Sequence, residues 1–170
     1  MDIWWLATSR NDGHCSYNEL KYRKVLAQGW AALGDLSILL PVKDEGSFKK
    51  LINDLAEYVY DGKGYKLNPG GIILNLLKFR EGNLVVCTEG TSVKGIARVG
   101  ANPTYRYDNG AGQYEYAQTI YPITEWKDWN KDIAGKPPHT GSMGPNGVVH
   151  YGRDKQQVVL DAWEKLETSI

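Results

Sequence analysis

"NLVVCTEGTSVKGIARVG", residues 83–100, decides the fold. Leu84 to Cys87 is an apolar run, Glu89 to Ser92 with Gly90 is turn chemistry, and Val93 to Val99 is a second run carrying Ile96, Ala97 and Val99. Two β-prone runs joined by a short glycine-containing turn predict a hairpin. Downstream, Tyr-rich stretches at 104–107 and 114–121 flank a glycine loop and predict another hairpin, so the middle of the chain is β.

Upstream, "IWWLAT" at 3–8 places Ile3, Trp5 and Ala7 on one face and Trp4, Leu6 and Thr8 on the other, a strand covered on both sides. It breaks into Ser9, Arg10, Asn11, Asp12 and Gly13, which is turn chemistry. Ser16 with Glu19 three residues later predicts a capped helix within 16–26. Gly34 and Asp35 make a turn before an apolar strand, Leu36 to Leu40, closed by Pro41. A helix follows over 47–60, with Phe48, Leu51, Ile52, Leu55 and Val59 at helical spacing. Gly62 and Gly64 end it, and Asn68 with Pro69 starts another through Phe79. The stretch 131–147 holds three prolines and four glycines and reads as loop. Asp154 with Gln157 caps a last helix whose Val158, Val159, Ala162, Trp163 and Leu166 form one stripe. The class is α+β: a small curled sheet or barrel flanked by helices, in one domain over 1–170, with a helical insertion at about 46–80.

The chain has 170 residues, 42% apolar and 24% charged, a composition that excludes disorder. No window approaches the roughly 20 apolar residues of a spanning helix, and no basic-then-apolar leader opens the chain, so a cytoplasmic protein without a membrane partner is expected. The formal net charge is zero. That excludes a general electrostatic nucleic-acid binder but leaves room for a reader that works through one pocket.

Chemistry is scarce. GxGxxG after a strand, the P-loop, HExxH and GxSxG are all missing. Cys15 and Cys87 have no CxxC partner and read as free thiols. His14, His139 and His150 lack metal spacing, so neither metal nor cofactor is expected. The nearest catalytic set is Cys15 with His14 or His139, the basis of a rival reading as a small Cys/His-dependent enzyme. A second rival is a docking module using the Tyr-rich 104–121 segment. Six Trp and eleven Tyr stand against two Phe. Indole and phenol add a polar edge to apolar bulk, which suits half-open pockets, and binding is favoured over catalysis.

Three segments together resemble the EVE and YTH branch of the PUA-like superfamily, small barrel domains that bind RNA or modified DNA bases. "LATSRND" is similar to the strand end that contacts the base, "KVLAQGW" at 24–30 to the segment giving a cage wall, and residues 83–99 to the hairpin. "IWWL" and "GDL" at 34–36 are similar to EVE domains. The resemblance implies an aromatic cage for a flipped, methylated or hydroxymethylated base in duplex DNA. Trp5 belongs to the first strand, Ser9 supplies an anchoring hydroxyl, and Asn11 touches the base edge beside Arg10, which replaces a neutral amide. Leu26, Ala27, Gln28 and Trp30 form one wall, and Tyr121 or a neighbour in "YAQTIYPITEW" forms the other. Leu26 and Ala27 stand where a cage Trp is expected, so Trp30 would supply the ring. Lys21, Arg23, Lys24, Lys94, Arg98, Arg106 and Lys127 lie in the pocket-forming segments and are the candidate phosphate contacts. The resemblance implies a non-enzymatic recognition module of a modification-dependent restriction system, partnered by an effector domain or subunit. RNA binding is the alternative within the same fold.

Overall fold

The segment 83–100 folds as the hairpin its pattern predicts. In the computed structural model, which describes residues 1–8, 16–108, 118–139 and 147–168, β1 spans Ile3–Thr8, β2 Leu26–Gln28, β3 Leu84–Glu89, β4 Ser92–Tyr107, β5 Gln118–Asp128 and β6 Val148–His150. They form one mixed sheet in the order β2-β5-β4-β3-β1-β6. β1 runs parallel to β3, with Ile3 opposite Leu84 and Thr8 opposite Glu89. The other pairings are antiparallel. β4 is one long strand that serves both hairpins, pairing with β3 through its first half and with β5 along most of its length, to Tyr107 opposite Gln118. The ladder does not close, and β2 and β6 are its two edges.

The described helices are α1 (Tyr17–Arg23), α2 (Glu45–Val59), α3 (Gly64–Leu67), α4 (Pro69–Leu77), α5 (Lys131–Ala134) and α6 (Arg153–Lys165). Local chemistry explains their starts. The Ser16 hydroxyl accepts from the Glu19 N–H, Asp44 caps α2 at Ser47, and Asn68 caps α4 ahead of Pro69 in its first turn. α6 begins two residues earlier than predicted: Gly152 is the cap, without a side-chain bond, and Asp154 sits in the first turn, where its charge favours the helix dipole.

Alternation in the continuous apolar runs separates two cores. Trp4, Leu6, Val85, Cys87 and Ala97 turn to one face, packed with Tyr17 and Leu20 of α1 and Leu76 of α4. Ile3, Leu84, Val86 and Ile96 turn to the other, under Val159, Ala162 and Trp163 of α6. A third cluster joins Trp30, Leu33 and Leu36 to Phe48, Ile52 and Ala56 of α2 and Ile73 of α4. Gly95 is required where α1 meets the sheet, because a Cβ there would stand 2.1 Å from the Tyr17 hydroxyl. α4 occupies the space between the sheet edges. It contacts β2 and β6, and Asn75 Nδ2 donates to the Val148 carbonyl at 2.8 Å.

Three expectations need correction. Leu36 to Leu40 is not a strand: residues 31–33 and 37–39 form 3-10 turns. The Leu36 N–H goes to the Tyr105 hydroxyl, and Ile38 is 90% exposed, so no strand neighbour supports the run. The loop prediction at 131–147 missed α5, while β6 pairs with β1 immediately after that stretch. α3 was also missed, since Gly64 opens a helical turn instead of only closing α2. No described helix is long and apolar enough to cross a membrane.

Candidate functional site

β1 and β2 are separated by three strands in the ladder, yet their ends meet. Gln28, the last residue of β2, is buried and donates from Nε2 to the Ala7 carbonyl at 3.0 Å. The contact brings the wall segment 26–30 against the strand end that leads into Ser9, Arg10 and Asn11. Those three residues, like His14 and Cys15, lie outside the described residues.

Beside Gln28 the chain makes a tight excursion through residues 30–36. Trp30 has φ +67° and is 9% exposed, its ring edge-on to Tyr60 with centroids 5.5 Å apart. Side chains of β4 and β5 pin this excursion. Fully buried Gln118 donates from Nε2 to the carbonyls of Trp30 (3.4 Å) and Gly34 (3.1 Å), and its Oε1 accepts from the Tyr105 hydroxyl at 2.5 Å. The Tyr107 hydroxyl donates to the Ala31 carbonyl at 2.9 Å. Burial pushes the Tyr105 phenol up to about 12, so it remains a donor over the whole physiological range. The bonds from Gln118 and Tyr107 fix the backbone around Trp30.

The predicted wall residues divide. Leu26 and Ala27 are fully buried in the core and give the wall its apolar backing. Gln28 and Trp30 are buried too, Trp30 in the cluster with Phe48 and Ile52. Tyr121 packs against the same core as Leu26, with the Arg106 guanidinium 4.5 Å over its ring. Trp5 does not join them, because the β1 alternation that sends Trp4 and Leu6 to one core sends Trp5 to the other face. There it stacks on His139 at 3.7 Å, lies 6.1 Å from the Tyr151 ring, and donates from Nε1 to Thr88 Oγ1 at 2.8 Å. Trp5 and Trp30 therefore lie in different clusters, and the expected cage containing both is corrected on that point. His139 hydrogen-bonds through Nδ1 to the Tyr151 hydroxyl at 2.6 Å. Desolvation first, then the Lys155 charge, pulls its imidazole down to about 4.

The predicted phosphate contacts separate into three groups. Lys21 pairs with Asp128 at 3.0 Å, and Lys94 lies 3.9 Å from Glu89. Arg98 pairs with Glu125 at 3.0 Å and Lys127 donates to the Trp163 carbonyl at 2.6 Å, both of them over the Trp163 ring on the α6 face. Arg23 and Arg106 converge on Asp108, next to Tyr121. Lys24 is exposed at the C-cap of α1. Of these, Arg106 stacks on Tyr121, Arg23 shares its carboxylate partner, and the Lys24 carbonyl accepts from the Ile123 N–H.

Sequence reasoning passed over Gln118, Tyr105, Tyr107 and Asp108 as site residues. The signal was the period-two spacing of Tyr105 and Tyr107, which puts both phenols on one strand face. Among the described residues, no group of three or more His, Cys, Asp or Glu could hold a metal ion. Cys87 is buried and desolvation raises its thiol well above the ordinary range, which makes it a poor nucleophile. An apolar groove of about 370 Å³ runs past Ile38, Pro41, Phe48 and Leu51, and none of the predicted base-binding residues lines it. The chain matches no protein-family model and no curated protein sequence.

Proposed function

We propose that this chain reads a modified base in duplex DNA, as the recognition module of a modification-dependent restriction system whose cutting is done by another domain or subunit. The single observation that carries the reading is the Gln28 to Ala7 contact, which joins the end of β1 to the wall segment although the ladder holds them three strands apart. Such a junction fits a sheet curled as in a PUA-like barrel, with α4 across the gap between the edges, and a pocket at the mouth where β1 and β2 end. Trp30 offers the ring, Gln28 offers a polar edge, and Tyr121 carries the Arg106 guanidinium over its ring. A base in a duplex reaches this mouth only by leaving its stack, at a cost of a few kcal/mol offset by stacking and edge contacts. Edge contacts also discriminate, since a base lacking the matching pattern leaves buried groups unpaired.

The test is binding of short duplexes carrying 5-methylcytosine, 5-hydroxymethylcytosine or N6-methyladenine, against unmodified duplex and RNA of the same sequence. One modified duplex is expected to bind best. Trp30→Ala is expected to lower affinity for that duplex alone, by about 1–3 kcal/mol for a lost stacking ring, with Trp30→Phe retaining most of it. Equal loss on every ligand, or preference for none, refutes the reading.

A further inference from the structure

Asp108 is the residue directly after β4, and a single oxygen of its carboxylate, Oδ2, accepts from Nη2 of both Arg23 and Arg106, at 3.0 Å for Arg106. Two guanidiniums come from separate elements: Arg23 ends α1, and Arg106 lies on β4, stacked on Tyr121. Two guanidiniums on one carboxylate leave surplus positive charge and surplus donors, since each carries five N–H groups. The surplus is visible. Arg23 Nη1 is buried with no partner among the described residues. Thr119, opposite Arg106 in the ladder, is fully buried with a hydroxyl in the same condition. Orphaned donors of this kind mark a site whose natural acceptor is missing. One oxygen held between two guanidinium edges is also the arrangement a phosphate oxygen takes between two arginines.

We propose that Asp108 occupies a phosphate site: its carboxylate stands in for a backbone phosphate of the nucleic acid and gives way to it on binding. The proposal rests on the reading above and identifies how its cationic rim is held in check. Asp108 follows the last β4 pair, Tyr107 with Gln118, so rotation of its side chain frees both arginines without disturbing the ladder. The carboxylate keeps the two arginines preorganised and mutually tolerant when no ligand is present. It also charges every encounter with plain DNA the cost of displacing it, which leaves discrimination to the base pocket.

The experiment compares the unaltered chain, Asp108→Asn and Asp108→Glu on unmodified duplex, on the preferred modified duplex and on heparin, across a salt series. Asp108→Asn is expected to bind all three polyanions about tenfold tighter at low salt, with the log–log salt slope steeper by about two, the count of cations released. Asp108→Glu, which keeps the clamp, is expected to match the unaltered chain. Adding Arg23→Gln and Arg106→Gln to Asp108→Asn removes the gain. Weaker or unchanged binding by a folded Asp108→Asn, judged by its melting temperature, overturns the proposal, as does a gain that survives loss of both arginines. The heparin arm separates the two readings. A gain there with no preference for any modified base removes the base-reading function and leaves the phosphate site standing, while base preference without the gain does the reverse.

Discussion

Trp5 and Trp30 look alike in the sequence, each a tryptophan in or just after a short β segment, but they belong to regions held in different ways. Around Trp5 the rings of His139 and Tyr151 stack under α6, beside a core of Ile3, Leu84, Val86 and Trp163. Around Trp30 the backbone is strained into positive φ and held by Gln118, Tyr105 and Tyr107. Both regions bury apolar area, Trp30 in a cluster with Leu33, Leu36, Phe48 and Ile52; the second adds buried polar groups that hold one loop shape. A left-handed tryptophan costs about 1–3 kcal/mol, and such strain persists only where its surroundings enforce it. The comparison teaches that aromatic abundance by itself marks no pocket. The polar groups aimed at the backbone beside a ring do.

That contrast can be broken by substitution. The largest effect is expected for Trp163→Ala: it empties the α6 face and removes the ring under Arg98 and Lys127, costing about 3–5 kcal/mol in urea unfolding. DNA affinity of the folded fraction should not change. If it falls with stability held by added osmolyte, the α6 face belongs to the site after all.

Gln28→Ala should show the opposite balance. It deletes a buried amide and leaves the Ala7 carbonyl without that donor, a stability loss of about 1–3 kcal/mol. Preference for the modified duplex should disappear, measured as the ratio of affinities for modified and plain DNA. A retained ratio would show that the β1 to β2 junction is only structural.

The smallest effect at neutral pH concerns His139. Its folded imidazole titrates near 4 against an ordinary 6.5, so the unfolded chain binds the extra proton between those values. Stability from this group is fully present above about pH 6.5 and is lost as pH falls toward 4. The difference in unfolding free energy between the unaltered chain and His139→Gln should shrink over that window and stay flat above it. A difference constant from pH 7 to 4 would place the imidazole in water instead of between Trp5 and Tyr151.

Much of the architecture was legible because it is local. Ser16 with Glu19, Asn68 with Pro69, and the apolar spacing of α2 each act within one or two turns of chain, as does the Gly90 turn of the hairpin. What escaped depends on distant residues. Whether 36–40 pairs as a strand was decided by Tyr105, which took the Leu36 N–H. Which core Trp5 enters was set by the parallel pairing of β1 with β3 and by α6, and no periodicity within 3–8 encodes that choice. The site was legible as segments and not as roles. Residues 26–30 and the strand end before Ser9 do converge, but Gln118 and Asp108 owe their part to pairings across the sheet.

β1 precedes both of its neighbours in the sequence, by some eighty residues for β3, which begins at Leu84, and further still for β6, which begins at Val148. A nascent chain therefore carries Ile3, Trp4 and Leu6 without a strand partner until residues 84–89 have been translated. Contacts this distant slow folding and extend the exposure of apolar strands. Chains in which that pairing has not yet formed are accordingly expected to engage holdase chaperones through residues 3–8.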